Sequence, residues 1–307
     1  MRQPVRIGTR DSQLAVWQAT LVQNLLDKNE VATELVYIKS DGDIDTVTPL
    51  YAIGVKGIFT RTLDAALLSN HIDLAVHSMK DVPTQLAEGI MQAAILKRAS
   101  YKDILVYNKA LDFMDNREGI ATIATSSIRR KAQWLYRYPN HSIKNLRGNV
   151  NTRLLKLSES SWNGAIFAGA GVERIGLRPE NSSDLDWMLP APAQGAIMLV
   201  CREDNNRIAE ICAPLNDLCT ATCTKMERDF LKALLGGCST PISAFAEAMS
   251  NKIFFRGNIC SPDGKQLIEV ERLFDRSVAN AGSIAAEELL QNETASQIIQ
   301  TIREEQK

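Results

Sequence analysis

Short apolar runs alternate along this chain with stretches whose apolar positions recur every three or four residues. Val5-Arg6-Ile7-Gly8-Thr9 predicts a strand. Leu14, Trp17, Leu21 and Leu25 then fall on one helical face, with Ser12 placed as its N-cap. Residues 34–40 predict a second strand, Leu63, Ala66 and Leu67 mark a helix, and 72–77 is a continuous buried-type strand. The alternation resumes with strand 121–125, helix 129–138, strand 142–146, a helix through Arg153 to Leu157, and strands at 165–168 and 197–201. Such alternation predicts an α/β fold with mixed, largely parallel sheets.

The pattern divides into two α/β lobes, with crossings near Lys97–Lys102 and around Pro190-Ala191-Pro192-Ala193. Two crossings make the first lobe discontinuous: residues 1–98 with 195–215, enclosing a second lobe of 99–194. A cleft between lobes follows from that arrangement, and clefts hold ligands. From 216 to 307 the character changes. An amphipathic helix from Lys225 to Leu235 runs into Gly236-Gly237, followed by strands at 242–248, 253–260 and 267–274 and helices at 284–291 and 295–303. This predicts a small α+β C-terminal domain.

The 307 residues carry a formal charge of −1, with 45% hydrophobic and 23% charged residues. These values fit a soluble globular protein. The N-terminal stretch has no apolar core of the secretory kind, and no apolar run reaches the roughly 18 residues that a bilayer requires. Six cysteines without a CxxC pair predict reduced thiols in a cytoplasmic protein. Cys219 and Cys223 share a helix face, but no histidine stands near them, so buried thiols are favoured over a metal site.

Against that neutral background, Gly119 to Ser158 holds Arg129, Arg130, Lys131, Arg137, Lys144, Arg147, Arg153 and Lys156 and no acidic residue. Guanidinium forks suit bidentate recognition of carboxylate or phosphate. The cations cluster at strand ends: Thr125-Ser126-Ser127-Ile128-Arg129-Arg130, Arg147-Gly148-Asn149 through Arg153, and a third loop, Gly169 to Arg174. Gly148 offers close approach of a ligand to the backbone. The other lobe supplies Thr9-Arg10-Asp11-Ser12 and, directly after an apolar strand, Ser78-Met79-Lys80-Asp81. There a carboxylate at the mouth of a buried sheet can act as acid, base or cation stabiliser. His77 points away from Ser78 by strand alternation and reads as structural. Cys238, behind Gly236-Gly237, is placed for access.

Three classes fit these features: an enzyme, a non-catalytic two-lobed protein that binds small anions, and a nucleic-acid module. The near-zero net charge counts against the last, and Trp134, Tyr136 and Tyr138 fit the core face of a helix.

Together the segments TRDSQLAVWQA (9–19), VKGIF (55–59), IDLAVHSMKDVP (72–83), ATSSIRRKAQ (124–133), LRGNVNTR (146–153) and LLGGCSTPI (234–242) resemble the porphobilinogen deaminase family over essentially the whole chain. The resemblance implies two lobes like type II periplasmic binding proteins, plus the third domain. It also implies a hydroxymethylbilane synthase, a monomeric transferase of porphyrin and heme biosynthesis. Such an enzyme condenses four porphobilinogen molecules head to tail, releases ammonia each time, and passes the linear tetrapyrrole to the next enzyme. It needs neither nucleic acid nor membrane. A dipyrromethane cofactor is expected in thioether linkage to Cys238, held by Ser78, Lys80, Thr125, Ser127, Arg129, Arg130 and Arg153.

By the same resemblance Arg10, Ser12, Phe59, Arg147, Arg153 and Arg174 face the substrate and growing oligopyrrole, Lys56 sits in a lid, and Asp81 is catalytic. No metal is implied. Ala52, Val55 and Asn151 depart from commoner lysine, glycine and glycine, respectively.

Overall fold

The computed structural model describes residues 3–39, 60–234 and 240–305. Strands β1 (Val5–Thr9), β2 (Thr33–Tyr37), β3 (Leu74–Ser78) and β4 (Ile90–Ile95) belong to the first sheet, with helices α1 (Gln13–Asp27) and α2 (Arg61–Leu68) between them. The second sheet takes β5 (Asp103–Tyr107), β6 (Thr122–Ala124), β7 (Ser142–Lys144), β8 (Gly164–Ala168) and β9 (Ser182–Asp184). Its helices are α3 (Ile128–Arg137), α4 (Val150–Ser158) and α5 (Gly169–Arg174). Strand β10 (Ile197–Arg202) returns to the first sheet and is followed by α6 (Asn206–Cys212). Helix α7 (Leu218–Ala233), strands β11 (Ile242–Ala248), β12 (Lys252–Cys260) and β13 (Leu267–Asp275), and helices α8 (Ala281–Leu290) and α9 (Glu293–Glu305) form the last unit.

The two five-stranded sheets share one plan. Their orders are β2-β1-β3-β10-β4 and β7-β6-β8-β5-β9. Each has two parallel pairings on one side and two antiparallel pairings on the other. The sheets are therefore mixed, as expected, but parallel pairs make up only half of the pairings. The difference lies in β10 running antiparallel to β3 and in the strands not foreseen, β4, β5 and β9, each of which pairs antiparallel. Alternate residues of one strand feed opposite cores: Leu199 and Cys201 pack on one face of the first sheet, Met198 and Val200 on the other. Burial on both faces explains why these strands read as unbroken apolar runs.

In the third unit β11-β12-β13 is an antiparallel meander with α7, α8 and α9 packed over it. Phe230 of α7 meets Phe255 of β12 edge-on at 5.2 Å between ring centroids. Helix α7 begins seven residues before its expected start, because Asp217 caps it through a 2.7 Å bond from the Thr220 amide. The expected Gly236-Gly237 stop lies outside the described residues.

The two crossings are tied to each other. The Ala99 amide donates to the Gly195 carbonyl at 3.1 Å. Gly195 has φ +88°, and a Cβ there would stand 2.5 Å from the Ser100 carbonyl, so only glycine fits. Beside them the fully buried Glu227 of α7 is a junction. It accepts from Arg98 at 2.6 and 3.2 Å, from the Ala193 amide at 2.6 Å and from the Ala246 amide of β11 at 2.8 Å. One carboxylate thus joins both crossings to the third unit. The Arg98 side chain is 12% exposed, so removing Glu227 strands a mostly buried cation. Glu227→Ala is expected to cost about 3–5 kcal/mol, read from the denaturant midpoint. A loss below about 1 kcal/mol, the range of surface pairs, would show the junction to be dispensable.

Candidate active site

The loops at the strand ends of the two lobes bring most of the expected residues together. In the second lobe, Ser127 is the N-cap of α3 and its side chain accepts from the Arg130 amide. The Thr125 hydroxyl accepts from the Ser127 amide at 3.2 Å. Helix α4 starts at the cap Asn149, which takes bonds from the Thr152 amide and hydroxyl at 2.9 and 3.0 Å. Gly148 has φ +111°, and a Cβ would sit 2.8 Å from Thr152. The glycine is therefore required by its own loop, not only by an approaching ligand. Arg153 donates from Nε to the Gly148 carbonyl at 2.7 Å, and Arg147 on the same loop is buried.

Asp103, the first residue of β5, organises the arginine pair. Its carboxylate is fully buried and accepts from Arg129 at 2.7 Å, from Arg130 at 2.8 and 3.1 Å, and from Gln194 at 2.9 Å. Burial pushes an acid upward, but the two guanidiniums outweigh it and hold Asp103 down at about 2. Arg129 also donates to the Leu189 carbonyl at 2.7 Å and Arg130 to that of Ile166 at 3.1 Å. The expected pair of open counter-charges is thus narrowed, since two arginines share one internal carboxylate and leave one net positive charge.

The first lobe faces this with β3 and the 3₁₀ turn Met79–Asp81 that follows it. Ser78 exchanges hydrogen bonds with the buried Gln18 at 2.9 and 3.3 Å. Lys80 donates to Gln194 Oε1 at 3.4 Å. A polar chain therefore crosses the seam from Lys80 through Gln194 to Asp103 and the arginines. Desolvation lowers Lys80 to about 8, with Asp81 pulling the other way and Arg130 adding to the fall. Arg153 is lowered to about 10 by burial and by the like charges of Arg130 and Arg147, against the opposing charge of Asp81. Asp81 is half-buried and its field reaches both Lys80 and Arg153.

Arg174 stands at the same seam. It donates to the Gly195 carbonyl at 2.7 Å and lies 5.7 Å over the Trp17 ring of the first lobe. Burial lowers it to about 10. The segment carrying it, expected as a loop, is the short helix α5. Ser12 occupies the N-cap position of α1, but its hydroxyl makes no capping bond. Arg10 is half-buried at the end of β1, close enough to His77 to repel its protonated form. With burial as the larger cause, His77 falls to about 4 and is neutral near pH 7, in keeping with a structural role.

Trp134 and Tyr138 are buried as expected, whereas Tyr136 is half exposed. Cys223 is buried and Cys219 exposed, and no cluster of three metal-ligating side chains occurs among the described residues. Among those residues no helix is long and apolar enough to cross a membrane. Lys56, Phe59 and Cys238, with Ala52 and Val55, lie outside the described residues.

Sequence reasoning did not find Asp103, Gln194, Gln18 or Glu227. The signal at Asp103 is a lone acid opening the apolar run Ile104-Leu105-Val106, which demands a buried partner.

Residues 5–210 match the family model described as "Porphobilinogen deaminase, dipyromethane cofactor binding domain", and 221–291 match "Porphobilinogen deaminase, C-terminal domain". The chain belongs to the porphobilinogen deaminase family. Porphobilinogen deaminase of Acidithiobacillus ferrooxidans is 39% identical over 307 residues, covering 99% of each chain. That of Campylobacter hominis is 40% identical over 293 residues, covering 93% of this chain and 94% of its own. Among solved structures, the methionine-binding protein MetQ aligns with TM-score 0.41 at 15% identity, over 69% of this chain and 89% of its own.

The chain is a transferase of the hydroxymethylbilane synthase type, with porphobilinogen as substrate and dipyrromethane as cofactor. The site fits that cofactor. Each pyrrole carries an acetate and a propionate, and the charges of Arg129, Arg130, Arg147, Arg153 and Lys80 act on one another across the site, with Asp103 and Asp81 as the opposing charges on Lys80, Arg129 and Arg153.

At pH 7, Asp103→Asn is expected to destabilise the fold, because Arg129 and Arg130 lose their counter-charge. The folded-state value of about 2 lies below the ordinary 3.8. The carboxylate's contribution is therefore complete above about pH 4 and lost as pH falls through about 2. The gap between wild type and variant, measured by denaturant unfolding, should narrow across that window. A gap constant with pH would contradict the assignment.

Proposed function

We propose that the hydroxymethylbilane synthase reaction of this chain takes place in the cleft between the two lobes, with Asp81 as its catalytic residue and Cys238 as the point of cofactor attachment. The observation that carries this reading is the placement of Asp81 on the first-lobe turn, with its charge acting on Lys80 and on the second-lobe Arg153. One carboxylate thus stands where cations from both lobes converge.

Arg147 and Arg153, with Arg10 and Ser12 from the opposite lobe, hold the carboxylates of incoming porphobilinogen. Arg174 and Phe59 complete that side, and Lys56 belongs to the covering loop. Ser78, Lys80, Thr125, Ser127, Arg129, Arg130 and Arg153 hold the carboxylates of the dipyrromethane. The bound cofactor supplies the pyrrole carbon from which the chain grows. Loss of ammonia from porphobilinogen leaves a cation on the methylene that carried the amine, shared with the pyrrole ring to which it stays bonded. Asp81 stabilises that charge in a site shielded from water and takes part in removing the pyrrole proton, where a fixed charge counts for far more than in water.

The domain bounds that go with this reading are 1–98 with 195–215, 99–194 and 216–307. A monomer in the cytoplasm, handing its tetrapyrrole to the next enzyme, completes it.

Intact mass of the purified wild type should exceed the chain mass by two linked pyrrole units, and Cys238→Ser should lack the increment. An active wild type at chain mass would dispose of the attachment. Asp81→Ala should keep at least part of the increment while turnover of porphobilinogen falls by a factor of hundreds or more. Normal turnover in that variant would remove Asp81 from the chemistry.

A further inference from the structure

Arg228 of α7 reaches out of the third unit into the first lobe. Its guanidinium donates to the carbonyls of Met79 at 3.4 Å, Val82 at 2.8 Å and Pro83 at 2.5 Å. Those three carbonyls bracket Lys80 and Asp81. The turn has further anchors of its own: Met79 and Val82 are buried, the Met79 amide donates to the Ala196 carbonyl at 3.0 Å, and the Val82 amide closes onto the Met79 carbonyl at 3.1 Å. Asp81 itself is half-buried and forms the exit of the turn, just before an extended Val82 at φ −84°, ψ 128°.

A single planar fork that holds carbonyls on both sides of a residue restrains the backbone dihedrals of that residue. The direction of its side chain is restrained with them. Lysine, a point donor, cannot span three carbonyls in this way.

We propose that Arg228 is a positioning residue for Asp81, fixing from the third unit the direction in which the carboxylate enters the cleft. The proposal rests on the reading of Asp81 as the catalytic residue. Its neighbour Glu227 seats the helix by holding Arg98 and the Ala193 amide at the crossings, so α7 meets the turn from a fixed base. A misplacement of about 1 Å in a catalytic group costs on the order of 100-fold in rate.

The test is steady-state turnover of porphobilinogen by holoenzyme whose cofactor increment has been verified by mass. Arg228→Ala should lower kcat about 10- to 100-fold, with KM within about threefold, because it leaves the carboxylate-binding arginines in place. Arg228→Lys should recover part of the loss. In an Asp81→Glu background, where the carboxylate is already displaced, the same substitution should cost less than about threefold, since coupled residues are not additive. If the alanine variant does not fold, the cycle is run with lysine. Unchanged kcat in Arg228→Ala, or a loss that multiplies in full in the Asp81→Glu background, overturns the proposal while leaving Asp81 catalytic. Wild-type turnover by Asp81→Ala overturns both.

Discussion

A carboxylate with no exposure to water holds the cleft together. Asp103 is costly to bury, and the structure offsets that cost with two guanidiniums and an amide. In return Arg129 and Arg130 are held rigid at the start of α3, and Gln194 is turned so that its other end meets Lys80 from the opposite lobe. The ligand-facing surface is therefore one electrostatic unit. Arg129 and Arg130 are kept in place by an internal anion, without needing a ligand to order them. Preorganisation of this kind is what allows a site to recognise carboxylates without spending binding energy on arranging itself.

The three units meet through polar contacts more than through a shared apolar core. Each five-stranded sheet is covered by its own clusters, and the third unit has another. Between them stand Glu227 with Arg98, Arg228 with the turn before Pro83, and Gln133, which donates to Ser243 of β11 at 2.9 Å. At the far side of the seam the contact is lighter: Asn151 donates to Gln13 at 2.9 Å in an exposed position. The uncommon asparagine in the RGNVNTR segment thus takes up a neutral bond to the other lobe. Directional contacts define a relative orientation sharply, whereas apolar ones tolerate sliding. A reaction that repeats at one site while its product lengthens needs lobes that are well placed yet separable.

Much of this was legible in the chain. Strands β1 and β11 begin and end where the apolar pattern does, and the arginine-bearing segments lie at strand ends as their spacing implied. What could not be read has a common physical reason. Strand β4 contains Gln92 and two alanines, giving it a weak β signal, and its place in the sheet comes wholly from pairing with β10. Asp103, Gln194 and Glu227 are single polar residues whose partners lie 19 to 129 positions away, beyond any local pattern. Arg228 looks like an ordinary solvated residue of an amphipathic helix until the turn it holds is placed beside it.

The return of β10 has a consequence for how the molecule is made. In the order β2-β1-β3-β10-β4, that strand is the only link between β4 and the rest of its sheet among the described residues. A nascent chain that has reached residue 194 has every strand of the second sheet available but only a split first sheet. β4 must wait, with its hydrogen-bonding edges unpaired, for about a hundred further residues to be synthesised. At ribosomal speeds of roughly 5–20 residues per second, that wait lasts several seconds. The enclosed lobe can thus close before the lobe that encloses it, and the seam bearing Lys80 and Gln194 forms only once β10 slots into the first sheet.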